Sequence, residues 1–217
     1  MAAACALFAP AFAPAWATAP TVPTREAALQ LLAAPEPEHR IAAIEKLAEV
    51  GTMADGERLV GALRDASEPV RTAAGQALWA VWNRSGDEAT DQKMAEGVRA
   101  LAAGDLDVAL ARFDEIVHAQ PAFAEGWNKR ATVLFLLGRE GESLRDCDEA
   151  VKRNRLHFGA LAGMAQIYLK RGDVEQALAA YERALEVNPN LVHGPQVLQM
   201  LREAVRERQA AAGVLRA

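Results

Sequence analysis

Apolar residues in the middle of the chain recur at helical steps. Trp127, Ala131 and Leu134 advance by 4 and then 3 residues, which places them on one face of a helix. One stripe further round, Asn128, Thr132 and Phe135 repeat the same steps. After Pro195, the residues Val197, Leu198, Leu201, Ala204 and Val205 form one apolar stripe, and Gln196, Gln199, Arg202, Glu203 and Arg206 fill the other face. That half-polar helix, taken to span 192–212, is what the end of a stacked array needs. Upstream, the pattern predicts helices near 25–33, 38–50, 55–65 and 69–83. The polar run Asn83 to Thr90, with Ser85-Gly86, reads as a linker centred on 85–89. Gly104-Asp105 and Gly172-Asp173 pair a helix-ending glycine with an aspartate able to cap the next helix, so the turns are short and the neighbours antiparallel. Pro121 and Pro189 cannot continue the helices before them.

These features return every 34 residues. Gly104, Gly138 and Gly172 keep that spacing, as do Gly97, Ala131 and Ala165. Phe113 returns as Cys147 and Tyr181, and Pro121 as Arg155 and Pro189. A period of this length, with small, aromatic and proline positions at these offsets, resembles the tetratricopeptide repeat. The third unit carries Ala165, Tyr168, Gly172, Ala177, Tyr181, Ala184 and Pro189 where that family places them. The second has Trp127, Ala131, Gly138 and Ala150, with Cys147 for the aromatic residue and Arg155 for the proline. The first has Lys93 in place of the leading tryptophan but keeps Gly97, Gly104, Ala109, Phe113 and Pro121. The resemblance implies an all-α fold, a right-handed α-solenoid of helical hairpins with units at 90–123, 124–157 and 158–191. Asn154 offers an alternative stop for the helix that lacks its proline.

A weaker internal repeat covers 25–84. Pro37, Arg40, Ala43 and Leu47 recur roughly 31 residues later as Pro69, Arg71, Ala74 and Leu78. The run Glu68-Pro69-Val70-Arg71 resembles the second helix of a HEAT-like repeat. An irregular helical cap over the first tetratricopeptide unit is the other reading, and both stay open. Trp79 and Trp82, an i,i+3 pair, are expected to pack against the solenoid that follows.

Composition narrows the function more than the fold. With 24 Lys+Arg against 29 Asp+Glu the chain carries −5, which argues against a nucleic-acid binder, whose surface would need to be basic. No charged residue precedes Arg25, and the apolar run Ala2 to Phe12 leads to the small-x-small site Ala15-Trp16-Ala17. Residues 1–17 therefore read as the tail of a secretory signal cut before Thr18, with 18–24 a disordered leader, although no basic residue precedes the apolar run. A disordered Ala/Pro-rich tail is the alternative. The run is too short for the roughly 20 residues of a membrane span. Export, with a periplasmic destination, is the expectation.

Candidate chemistry is sparse. His39, His118, His157 and His193 lie on separate elements without ligand spacing, so no metal site, cofactor or catalytic residue is expected. Asp146-Asp148-Glu149 reads as a hydrated helix face, and Cys147 as a buried, inert thiol in a packing slot. What remains is the inner face of the first helix of each unit. In tetratricopeptide proteins these positions line a concave groove for peptides or helices, and the resemblance implies the same here. The lining would be Met94, Val98 and Leu101; Asn128, Thr132 and Phe135; and Ala162, Gln166 and Leu169. The subset of the family that clamps acidic C-termini needs charged or amide residues where this chain has Met94, Val98, Gly159 and Gly163. The expectation is thus a non-enzymatic adaptor for a protein or peptide, monomeric or weakly self-associating. Its alternative is a structural adaptor whose groove is filled by its own N-terminal segment.

Overall fold

The computed structural model describes residues 20–214, so the expected signal segment and its cleavage site lie outside the described residues. All regular structure among the described residues is helical. Four helices form an N-terminal layer: α1 (Arg25–Leu31), α2 (Pro37–Val50), α3 (Gly56–Ala62, entered through a 3₁₀ turn at Met53–Asp55) and α4 (Glu68–Trp82). Three hairpins follow: α5 (Glu88–Ala103) with α6 (Leu106–Ala119), α7 (Ala124–Leu136) with α8 (Glu140–Arg153), and α9 (Phe158–Lys170) with α10 (Val174–Val187). Helix α11 (Gly194–Val214) closes the array. Within the described residues no helix is long and apolar enough to cross a membrane.

Local chemistry sets the helix ends. The Thr24 hydroxyl accepts the Ala27 N–H at 3.1 Å, and Asp87 accepts from the Thr90 N–H at 2.8 Å. Gly104, Gly138 and Gly172 turn the chain between the helices of each hairpin with φ of 82°, 74° and 78°, a left-handed conformation that glycine enters without strain. Asp105 and Asp173 correct the sequence expectation. Both occupy the N-cap position, but neither side chain caps the helix. The backbone closes the turn instead, with the Asp105 and Asp173 N–H groups donating to Ala100 and Tyr168 at 2.9 Å. Asn154 ends α8 in place of the missing proline, and its Oδ1 accepts the Leu156 N–H at 3.1 Å.

Packing within each hairpin matches the small slot of the first helix to the side chain opposite. A Cβ on Gly97 would lie 2.6 Å from the Phe113 ring, so only glycine admits phenylalanine there. The second and third units pack Cys147 and Tyr181 in the core that holds Ala131 and Ala165. Leu201 of α11, with Val197 and Leu198, covers that core at its open end, while the solvent side of the helix is polar apart from Met200.

The N-terminal layer consists of two related hairpins. Arg40 donates to the carbonyls of Ala34 and Pro35, and Arg71, 31 positions later, donates to those of Asp65 and Ala66. Arg40 also makes a bidentate pair with Asp65 at 2.7 Å. This layer does not cap the first tetratricopeptide-like hairpin. It docks at the junction of the second and third, where Leu156, Phe158, Val187 and Leu191 join its core. Asn190 donates to the Leu63 carbonyl at 2.6 Å, Arg64 reaches the carbonyls of Glu186 and Val187, and Arg155 pairs with Glu57. Trp79 and Trp82 pack at the docking site, Trp82 stacked on His157 and Trp79 in T-shaped contact with His157 and Phe158.

Candidate partner-binding groove

The first helices of the hairpins, α5, α7 and α9, carry the nine positions expected to line a groove, and the fold distributes them unequally. Met94 is only 5% exposed and belongs to the core under Phe113 and Ile116, so it offers little surface to a ligand. Leu101 packs half-buried on the same core, and Val98 is exposed. Neither borders the clefts below. Asn128, Thr132 and Phe135 of α7 and Ala162 and Gln166 of α9 do come together, around a cleft of about 170 Å³ floored by Ser143, Cys147 and Gly163. A second cleft of about 480 Å³ lies between α9 and α11. Ala162, Gln166 and Leu169 line it together with Tyr181, Val192 and Met200.

Val192 and Met200 are residues the sequence reading missed, because it treated α11 purely as a cap. Val192 is 80% exposed and Met200 46%. The period itself held the signal: Met200 stands 34 positions after Gln166, so α11 supplies the inner face of a fourth, incomplete unit.

At the end of the groove where α7 and α9 begin, the structure buries a polar cluster. His157 and Glu125 have fully buried side chains, with Nε2 2.7 Å from Glu125 Oε2. His157 Nδ1 accepts the Ala160 N–H at 3.1 Å and so caps α9, which places the ring proton on Nε2, donated to Glu125. Asn128 Nδ2 donates to the same carboxylate oxygen at 3.1 Å, and Lys129 Nζ sits 3.1 Å from the other oxygen as an ion pair. Burial pushes the Glu125 carboxyl up, but the His157 hydrogen bond and the Lys129 charge outweigh it and hold the group below its usual range. Asn128, one of the expected lining residues, thus spends one of its two amide N–H donors on Glu125. Nothing in the spacing of four scattered histidines pointed to this pair.

Trp82 stacks on His157 at 4.8 Å, and Trp79 meets His157 and Phe158 edge-on at 5.7 and 5.3 Å. A Cβ on Gly159 would stand 2.6 Å from Trp79, so the glycine is the slot that admits the indole. Two further readings of the sequence resolve here. Asp146 is not on a hydrated face: it is 5% exposed and takes both arms of Arg130 at 2.7 and 2.9 Å. The Arg130 fork reaches across from α7, a contact between helices that the acidic run alone did not reveal. Cys147 is buried, and desolvation together with Asp146 and Asp148 pushes its thiol up to about 12. Among the described residues, no three His, Cys, Asp or Glu side chains gather as metal ligands would.

Stacked helical hairpins that share one inner face define a class of protein, the helical-repeat scaffold. Models of the tetratricopeptide repeat match residues 94–156 and 159–191, and this stretch of the chain is made of tetratricopeptide repeats. A TPR repeat-containing protein of Rhizobium etli is 35% identical over 108 residues, which are 50% of this chain and 53% of that protein. DnaJ homolog subfamily C member 3 of Homo sapiens is 28% identical over 94 residues, 43% of this chain and 19% of that one. The chain thus spans about half the length of the Rhizobium relative and less of the human one. Among solved structures, the first TPR of Spaghetti (RPAP3) bound to HSP90 peptide SRMEEVD superposes with a TM-score of 0.52 at 24% identity, covering 54% of this chain and 93% of that one. MamA superposes at 0.52 and 16% identity, covering 76% and 88%. At these identities the structures establish the fold.

Proposed function

We propose that this protein is a non-enzymatic scaffold of the bacterial cell envelope that holds a protein partner in its concave face. The observation that carries the reading is the pair of adjoining clefts along α7, α9 and α11, open to solvent and bordered by exposed Leu169, Val192 and Met200. Monomeric surfaces leave such contiguous apolar patches chiefly where something binds. Peptide capture by the Spaghetti repeat, a neighbour in fold, supports the same use of the inner face. Export rests on the charge-free stretch ending at Ala15-Trp16-Ala17.

The test is recovery of a stoichiometric partner from an envelope extract by the folded protein, with Leu169→Asp as the comparison. Loss of the partner in a variant with an unchanged circular dichroism spectrum supports the groove; equal recovery refutes it. N-terminal sequencing of the protein made with its native start is expected to read Thr18 onward, and retention of Met1 or Ala2 refutes export by a cleaved signal. A second reading, a structural adaptor with a self-occupied groove, is favoured by one contact: Trp79 of the N-terminal layer already fills the Gly159 slot at the groove's end. Homo-oligomers in light scattering, with no partner recovered, support that reading over the first.

A further inference from the structure

The two clefts are copies of one another. Eight of the ten residues that line the larger cleft stand 34 positions after residues that line the smaller one. Ala165 follows Ala131 in this way, Leu169 follows Phe135, Tyr181 follows Cys147 and Met200 follows Gln166. Neither lining contains an Asp, Glu, Lys, Arg or His side chain. The polar groups of the smaller cleft are largely satisfied from within: Asn128 bonds Glu125, Ser143 donates to the Ala131 carbonyl at 2.7 Å, and Thr132 donates to the Asn128 carbonyl at 3.0 Å. A carboxylate or ammonium that entered either cleft would lose its hydration and find no charged group in the lining, the Lys170 ammonium over the Phe135 ring being already paired with Glu140. An apolar side chain loses nothing and buries its surface. Gln166 is exposed and borders both clefts, so its amide stands between the two apolar sites.

Resting on the groove reading above, we propose that the partner is an uncharged extended segment that seats two apolar side chains, one in each cleft, with its intervening backbone against Gln166. Neighbouring packed helices stand about 8–10 Å apart, so the two sites are separated by about one such step. An extended chain in the polyproline II form rises about 3.1 Å per residue with three residues per turn, so two anchors about three residues apart cover this distance and point to the same face.

The experiment titrates amidated, acetylated Gly/Ser peptides into protein labelled at its methionine methyls. One peptide carries two leucines three residues apart, a second carries one leucine, a third carries two leucines seven apart as a helix would space them, and a fourth is acidic with a free C-terminus. The Met200 methyl reports on the larger cleft, and anisotropy of labelled peptides gives affinities. The first peptide is expected to bind at least tenfold tighter than the second, to shift Met200, and to keep its affinity between low and high salt. Thr132→Asp and Leu169→Asp, both at exposed positions, should each reduce it to the level of the single-leucine peptide. Preference for the seven-residue spacing overturns the extended form of the partner. Tighter, salt-sensitive binding of the acidic peptide overturns the uncharged partner and leaves the groove reading standing. Absence of any Met200 shift with all four peptides overturns both.

Discussion

Replacing Gly159 by alanine puts a methyl group where the Trp79 indole now lies. The new Cβ would stand 2.6 Å from Trp79 Cη2 and 3.3 Å from Cζ2, well inside contact distance. Trp82, His157 and Phe158 hold the indole on its inner side with ring centroids at 5.5, 5.7 and 5.3 Å, so it can retreat only toward the open cleft it borders, giving up those contacts. Overpacking of this kind costs about 1–3 kcal/mol. Alanine returns part of that through helix propensity, up to about 1 kcal/mol in a helix interior and less at the second residue of α9. The net effect is a loss of about 1–2 kcal/mol, or a Tm lower by about 2–8 °C for a chain of this size. Gly163, one turn further along the same helix, supplies the control. Its Cβ would meet only Cys147 Sγ at 3.6 Å, an ordinary contact, so Gly163→Ala should stabilise by up to about 1 kcal/mol. Thermal and urea unfolding, followed by circular dichroism and tryptophan emission, measure both. In a Trp79→Ala background the clash is gone, and Gly159→Ala should then become neutral or stabilising, a coupling of the size seen between touching residues. If Gly159→Ala raises the Tm as Gly163→Ala does, or if its effect is unchanged without Trp79, the docking of the N-terminal layer described above is wrong.

The Glu125 cluster makes that same junction acid-sensitive. Its folded pKa lies below the ordinary 4.5, so the stabilisation is complete above that value and is lost as pH falls through the folded one. Tryptophan emission should therefore report a transition below about pH 4.5 that Glu125→Gln removes, and an identical acid profile in the variant refutes the role of the pair. Cys147, with its thiol pushed up to about 12, should be inert to a thiol reagent at neutral pH in the folded protein and react fully in denaturant. Reaction of Cys147 at a free-thiol rate in a native Cys5→Ser chain, which removes the second thiol of the sequence, would show that the slot is open. Ending the chain at Asn190 removes Leu201, Val197 and Leu198 from the core that holds Tyr181 and Ala184. Aggregation or a broadened melt is expected in light scattering and calorimetry, and an unchanged monomeric melt refutes the capping role of α11.

The period of 34 and the steps of 4 and 3 within it were enough to specify helical hairpins, their order and their glycine turns, because each of these depends on neighbours close in sequence. The pairing of Gly97 with Phe113, sixteen positions on, is of this kind. The same locality explains the errors. Asp105 and Asp173 have the residue type of a cap, but whether a side chain closes the turn depends on backbone angles that composition does not fix. Asp146 looked solvated because the Arg130 that covers it lies on another helix. That Asn128 would bond Glu125 was hidden in the same way, because Glu125 takes its buried environment from His157, 32 positions away. Where the N-terminal layer docks, and so where the groove begins, was decided by the tertiary structure alone. Trp79 and Trp82 needed an apolar, flat-sided slot, and the chain offers one at His157, Phe158 and the side-chain-free Gly159. The groove's other end was likewise set in three dimensions. Once α11 folds back beside α9, Met200 continues the inner face by one repeat and Val192 borders it, which turns a terminal cap into part of the binding surface.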